Sequence, residues 1–412
     1  MDILITCYDN YPHIGGKSTH IKNLTKGLTE SGHYVKIISF ADNSHFKKLI
    51  LVRAPGFVLR KIPTYGKQLS FFWTNFWVET LVKNLITNEL KTKKYDAVSA
   101  QDASVSRICR RIIDNLGKNI PLITTIHGDQ KNEILSAGIF SKGTIVERWL
   151  LNREVAGYTV SDVIIAVDNR LKEHVYSLSL GKVKRKQSIK VMFNFLDVTE
   201  FTISDIKDIE DARKRWSHQI NINGCVLLCP RRLTAKNGVI YAVQMCKHLK
   251  QAKPSFKFQL VFAGDGESRD KINQIIHENK LESNIRFLGD VKHEDMRSLY
   301  ALSDIVIIPS VPSEGVIEAT SLSALEAMAS GVSVIASNIG GLAELISNGN
   351  TGILVEPTDA VALAEAVFSL VSNSDFKARI QKQALDYVRD NHSHLVAARL
   401  FANYCENAVC EN

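Results

Sequence analysis

No apolar run in this 412-residue sequence approaches the roughly 20 residues that a membrane-spanning helix needs. The start, Met1-Asp2-Ile3-Leu4-Ile5-Thr6-Cys7, places no basic stretch ahead of a signal-like core. A cytoplasmic location is expected. Seven cysteines, at 7, 109, 225, 229, 246, 405 and 410, form no CxxC pair and no Cys/His spacing suited to zinc. They are expected to be free thiols. No G-x-G-x-x-G follows the first strand-like run, which argues against a dinucleotide dehydrogenase. With 45% hydrophobic and 23% charged residues, the composition excludes collagen-like, mucin-like and largely disordered chains. A chain of this length points to two domains.

Acidic residues are scarce in the first half. Residues 1–200 hold 29 Lys+Arg against 18 Asp+Glu, whereas 201–412 hold 22 against 25, so the formal charge of +8 belongs to the first half. A basic face attracts nucleic acid, an anionic membrane or a phosphorylated substrate, and charge alone does not choose among them.

Short Ile/Val-rich runs alternate with longer amphipathic stretches: Ile3–Cys7, a helical pattern over 18–30, Tyr34–Phe40, Tyr95–Ala100, Pro121–Ile126 and Asp162–Val167. Runs apolar throughout suit a parallel sheet covered on both faces, so the first half reads as a doubly wound α/β domain. After an aperiodic stretch over 194–209 the rhythm restarts with Cys225–Cys229, Phe258–Ala263, Asn284–Leu288, Asp304–Pro309 and Val332–Ala336. The expected division is 1–195, 196–385 and a helical tail, 386–412, that crosses back to the first domain.

Residues 46–77 break the rhythm, interleaving Lys47, Lys48, Arg53, Arg60, Lys61 and Lys67 with Phe46, Phe57, Tyr65, Phe71, Phe72, Trp73, Phe76 and Trp77. Such a mix either packs a helix onto the first sheet or lies on an anionic lipid layer at the inner membrane face. A second basic run, Lys182-Val183-Lys184-Arg185-Lys186, has neither aromatics nor a recognition helix beside it, and no nucleic-acid partner is expected.

The chemistry concentrates in Glu318-Ala319-Thr320-Ser321-Leu322-Ser323-Ala324-Leu325-Glu326. Thr320 or Ser321 caps a helix that runs on to Ser330 and stops at Gly331, so the amides near Ser321, Leu322, Ser323 and Ala324 form a ready diphosphate site. Glu326, set among Leu322, Leu325 and Met328, needs hydroxyl or N–H partners, which sugar or ribose hydroxyls would supply. Arg231, Arg232 and Lys236 follow the second domain's first strand, where a turn at the carboxyl end of a parallel strand carries cations toward a ligand crevice.

In order and spacing, Arg232-Leu233-Thr234-Ala235-Lys236-Asn237-Gly238, Gly264-Asp265-Gly266, Asp304–Ser310, Glu318-x7-Glu326 and Gly340-Gly341-Leu342-Ala343-Glu344 resemble the retaining glycosyltransferases of family 4. The first half adds Gly15-Gly16 before a helix, Gly32-His33-Tyr34-Val35 and Thr124-Thr125-Ile126-His127-Gly128-Asp129. The resemblance implies a GT-B fold: two Rossmann-like domains facing across a cleft, the first binding the acceptor and the second the nucleotide sugar. It implies a donor site of Gly16, Arg232, Lys236, Glu318, Ser321, Leu322, Ser323 and Glu326. Arg232 and Lys236 would neutralise the diphosphate, Glu318 would touch the donor sugar and Glu326 the ribose. His127 would position the transferred sugar, with Asp129 a weaker acceptor-side candidate.

The expected activity is transfer of a hexose or N-acetylhexosamine from a nucleotide diphosphate sugar to a hydroxyl of a glycan, lipid-linked glycan or polysaccharide. Cations on the leaving diphosphate suit that chemistry. No Asp-x-Asp clamp is present, so neither metal nor cofactor is expected. A nucleotide-sugar epimerase and a non-catalytic sugar-nucleotide-binding scaffold are the alternatives. Four departures from the family pattern stand out: Lys236 comes one place early with Asn237 in the common lysine position, Ala319 replaces a frequent glycine, Asn194-Phe195 stands where Asn-Gly is common before the linker, and Lys17 follows Gly15-Gly16 as a surplus charge.

Overall fold

The computed structural model of the protein describes residues 1–13, 15–136, 138–140, 143–178, 189–203, 205–312 and 321–410. The chain forms two compact units, Met1–Phe193 with His394–Asn412, and Asn194–Ser393.

The first unit is built on six parallel strands: β1 (Asp2–Thr6), β2 (Tyr34–Ile38), β3 (Ala97–Ala100), β4 (Leu122–Ile126), β5 (Val163–Ala166) and β6 (Ile189–Val191). Their order is β2-β1-β3-β4-β5-β6, with Ile3 opposite Val35 on one side and Ala97 on the other. The central strands are apolar on both faces because helices cover both: Ile3, Leu4, Ile5 and Val98 are fully buried. The helix His394–Cys410 belongs to this unit and packs on the helix Gly16–Glu30. Contact is close at Gly27, where a Cβ would stand 2.2 Å from the His394 carbonyl oxygen, and His394 Nε2 meets Glu30 Oε2 at 2.7 Å.

The second unit repeats the plan with β7 (Cys225–Cys229), β8 (Phe258–Ala263), β9 (Ile285–Gly289), β10 (Ile305–Ile308), β11 (Ser333–Ser337) and β12 (Ile353–Val355). Here the order is β12-β11-β10-β7-β8-β9, the arrangement of dinucleotide-binding folds. Every strand run read from the sequence is present within a residue or two. The two strands without a forecast, β6 and β12, have three residues each and lie at sheet edges, too short to show a period. The span 386–412 is shared between the end of the helix Ser374–Asn391, in the second unit, and the helix His394–Cys410, in the first.

The basic and aromatic segment folds as a helical hairpin, Ala54–Arg60 against Gly66–Thr92. Val78, Leu81, Val82, Ile86 and Leu90 attach the long helix to the first unit's core. Those aliphatic residues, not the preceding aromatics, make most of the attachment: Phe46, Phe57, Tyr65, Phe72, Trp73 and Phe76 are exposed. Within 46–77 itself the packing reading holds at Val52, which joins that core, and at Leu51 and Trp77, partly buried against it. Glu79, which interrupts the apolar pattern in sequence, is turned to Arg107 and Arg153 at 3.1 and 2.7 Å.

The Lys182–Lys186 run lies outside the described residues. Cys7, Cys109, Cys225, Cys229, Cys246 and Cys405 are free, and burial pushes the Cys7 and Cys229 thiols up to about 12, which makes them inert. No helix among the described residues is long and apolar enough to cross a membrane.

Candidate active site

In an open α/β sheet, ligands collect at the carboxyl ends of the strands where the strand order reverses. Each unit has such a point, between β1 and β3 in the first and between β7 and β10 in the second. Both points carry the residues that the sequence singles out.

In the second unit β7 runs through Cys229 into Pro230, Arg231 and Arg232. The Arg231 guanidinium reaches three oxygens: Asn237 Oδ1 at 2.6 Å, Ser310 Oγ at 3.1 Å and Ser321 Oγ at 3.2 Å. One planar fork thus ties the loop after β7, the end of β10 and the start of the helix Leu322–Ala329. Asn237 also donates to the Arg232 carbonyl oxygen at 2.8 Å, and the Val311 amide donates to the Lys236 carbonyl oxygen at 3.0 Å. Gly238 completes the turn with φ 61°, and a Cβ there would lie 1.8 Å from the Pro309 carbonyl oxygen. The Gly264-Asp265-Gly266 turn joins from β8, with the Leu233 amide donating to the Asp265 carbonyl oxygen at 3.1 Å. The Asn237 departure is explained: an amide in this position both accepts and donates, and it holds the loop in shape.

Arg232 and Lys236 are exposed on that loop, with side chains toward solvent. Ser321 is buried at the head of the Leu322–Ala329 helix, and Ser323 donates to the Pro230 carbonyl oxygen at 3.2 Å. The first-turn amides of this helix have no intrahelical acceptor. Glu326, only 7% exposed, accepts a hydrogen bond from the Tyr300 hydroxyl at 2.8 Å, and its other oxygen lies 3.3 Å from His293 Nε2. Phe201 sets its ring edge-on to both His293 and Tyr300. Burial, then the Glu326 charge, hold the Tyr300 phenol well above its ordinary pKa, so it stays a donor. Tyr300 and the half-exposed His293 supply part of the satisfaction that the sequence reading left to ligand hydroxyls. Glu318 lies outside the described residues.

In the first unit a cavity of about 380 Å³ opens at the β1/β3 switch, lined by Gly16, Lys17, Asp102, His127 and Tyr158 among others. Lys17 Nζ sits 2.8 Å from Asp102 and 2.9 Å from Asp9. Burial alone would lower the ammonium's pKa, but the two carboxylates outweigh it and the cation is held. The surplus charge after Gly15-Gly16 is thus neutralised within its own unit. His127 Nε2 lies 2.9 Å from Gln101 Oε1, and Gln101 Nε2 donates to Ser99 Oγ at 3.0 Å, which assigns the proton to His127 Nε2. Burial, His20 at 4.7 Å ring to ring, and Lys17 depress the His127 pKa well below its ordinary value, so the imidazole is neutral.

Behind this cavity Asp129, Glu154 and His174 bring three ligand-type atoms within 4.8 Å of one another. Asp129 Oδ2 is 3.3 Å from His174 Nε2, and Tyr158 donates to Glu154 at 2.5 Å. Three such groups are able to hold a metal ion, but Lys131 bears electrostatically on Glu154 and His174, and Arg170 on His174. Asp129 raises the Glu154 pKa and Lys131 lowers it, and the cluster ties the loop after β4 to the helices Ile145–Thr159 and Asn169–Leu178. Burial pushes the Glu154 carboxyl up to about 7, against the Tyr158 hydrogen bond.

Within the second unit Arg232, Lys236, Ser321, Leu322, Ser323 and Glu326 fall on neighbouring pieces of the β7/β10 switch. Gly16 and His127 line the first unit's cavity. Sequence reasoning passed over Tyr300, His293, Gln101 and the linking role of Arg231. Only Arg231 gave a signal, as the first of two arginines directly after a buried strand.

The family model for glycosyl transferases group 1 matches residues 210–386, and that for glycosyltransferase family 4 matches residues 14–199. An uncharacterized glycosyltransferase of Methanocaldococcus jannaschii is 26% identical over 410 residues, 95% of each chain. The N-acetyl-alpha-D-glucosaminyl L-malate synthase of Bacillus anthracis is 24% identical, covering 94% of this chain and 92% of that one. Among solved structures, Anabaena HepE in complex with UDP superposes with a TM-score of 0.70 at 19% identity, covering 99% of this chain and all of the other. That likeness fits the GT-B architecture that the two six-stranded sheets display. With one matched model on each half and a relative spanning nearly its whole length, the chain belongs to the family 4 glycosyltransferases.

Proposed function

We propose that this glycosyltransferase moves a hexose or N-acetylhexosamine from a nucleotide diphosphate sugar to an acceptor hydroxyl with retention of anomeric configuration. The observation that carries the reading is the Arg231 linkage, which gathers a basic loop and a helix N-terminus at one strand switch. Such a site suits a diphosphate, whose charge grows as the sugar departs. Arg232 and Lys236 supply mobile cations to the leaving oxygen, and Glu326 with Tyr300 offers a fixed polar patch to the ribose. By the family resemblance Glu318 holds the donor sugar.

In the proposed step the bond between the anomeric carbon and the diphosphate oxygen breaks, and the acceptor oxygen bonds to the same face of that carbon. The acceptor proton passes to the departing diphosphate, so no protein base is needed. Neutral His127, its one ring proton on Nε2 already given to Gln101, suits a sugar-positioning residue that accepts a hydroxyl at Nδ1, and its depressed pKa makes it a poor base. No metal is assigned to the diphosphate, because the two cations do its work. Solved HepE structures with UDP and with UDP-glucose favour a uridine nucleotide, and the N-acetyl-alpha-D-glucosaminyl L-malate made by the Bacillus anthracis synthase favours an N-acetylglucosaminyl group. The acceptor belongs to glycan, lipid-linked glycan or polysaccharide synthesis.

Incubation with a panel of nucleotide sugars, without added metal, is expected to give slow donor hydrolysis or thermal stabilisation by one nucleoside diphosphate. If none of the panel binds, with or without a divalent ion, the transferase reading fails. A requirement for the ion would reject only the metal-free step.

A further inference from the structure

We propose that the helical hairpin Ala54–Arg60/Gly66–Thr92, with the residues leading into it, docks on an anionic lipid bilayer. The inference stands apart from the transferase chemistry and uses the first unit alone. Eleven of the nineteen large apolar side chains that the described residues expose fall between Phe46 and Phe76. Phe46 is 71% exposed, Phe57 and Phe76 62% each. On the long helix Leu69, Phe72, Trp73 and Phe76 follow the i, i+3, i+4, i+7 spacing of an amphipathic face. That face is open at Leu69 and Phe76 and partly open at Phe72 and Trp73, whose rings also rest on Trp149 and Trp77, where a soluble helix carries charge, while the core side is taken by Val78, Leu81 and Val82.

Charge selects the occupant. No acidic residue occurs from 43 to 78, whereas six Lys and Arg do, all but Lys48 exposed. A second copy of the chain would set these like charges against one another with no carboxylate in the segment to pair them. Single-stranded nucleic acid rewards aromatic platforms, but Leu49, Ile50, Val58, Ile62 and Leu69 have no π face for a base to stack on. A layer of anionic headgroups over acyl chains takes both components: cations sit at phosphate level and the apolar tips enter the interface. Lys61, whose Nζ lies 4.5 Å over the Phe57 ring, already pairs the two chemistries.

The test is vesicle co-sedimentation of the full chain with phosphatidylcholine vesicles and with phosphatidylcholine–phosphatidylglycerol vesicles, at low and high salt. Wild type is expected to pellet with the anionic vesicles at low salt and to be released by high salt. Arg60→Gln/Lys67→Gln is expected to weaken binding by about 25-fold, roughly fivefold for each exposed cation. Phe57→Ser/Phe76→Ser is expected to keep the salt-sensitive encounter but pellet far less. Circular dichroism checks that both variants are folded, and because they lie outside the donor site, nucleotide-induced thermal stabilisation is expected to be unchanged in each. The proposal is overturned by wild type remaining in the supernatant throughout, or by equal binding to neutral and anionic vesicles. It is also overturned if the aromatic variant abolishes self-association seen without lipid, or if both variants lose binding to an RNA homopolymer while lipid binding is unaffected.

Discussion

Replacing Glu154 by Gln tests the first unit's charge cluster and has a sign fixed by linkage. Its folded-state carboxyl is raised from 4.5 to about 7, chiefly by burial. Between these values the folded chain holds a proton that the unfolded chain releases, so the contribution is most favourable below about pH 4.5. It is lost as pH rises to about 7. At about 1.4 kcal/mol per unit, the full swing is on the order of 3 kcal/mol. Gln keeps an oxygen for the Tyr158 hydroxyl, now 2.5 Å from the carboxylate, and carries no charge to bury. Thermal melts of the whole chain are therefore expected to show Glu154→Gln several degrees more stable than wild type at pH 8, with the gap closing near pH 4.5. A variant less stable than wild type at pH 8 would refute the reasoning, since the ionised carboxylate would then be holding Asp129, Lys131 and His174 together. A gap independent of pH would refute it as well.

Arg231→Ala breaks three charge-assisted hydrogen bonds, each about 1.5–3 kcal/mol but far from additive; a loss of about 3–5 kcal/mol and much weaker nucleoside diphosphate binding are expected by denaturant titration and calorimetry. Arg231→Lys is expected to rescue little, because one ammonium cannot span Asn237, Ser310 and Ser321. Gly238→Ala meets both a positive φ of 61° and the Pro309 carbonyl oxygen, so a loss above about 1 kcal/mol with disturbed donor binding is expected. Glu326→Gln is expected to weaken nucleotide affinity more than His127→Ala, while turnover falls in both; equal nucleotide affinities would dissociate Glu326 from the ribose.

Period and spacing alone determined much of this protein. Strands buried on both faces must be apolar throughout, so ten of the twelve strands and the two-unit plan could be read from runs such as Cys225–Cys229 and Ile305–Ile308. Glycine and cap positions located the Leu322–Ala329 helix and the loop ending at Gly238, because backbone conformation is a local property. Tertiary structure decided which side chains meet. Strand order brings Ser310 and Ser321 within reach of Arg231, 79 and 90 residues along the chain, and nothing local marks such partners. Tyr300 and His293 were invisible for the same reason: they face Glu326 only because the helix His293–Leu302 packs beside it. The 46–77 segment shows the limit from the other side. Its composition announced an amphipathic surface, but which side chains face core or solvent depended on the tertiary packing, which takes Val52, Val78 and Leu81 into the first unit's core with Trp77 against it and leaves Phe57 and Phe76 exposed.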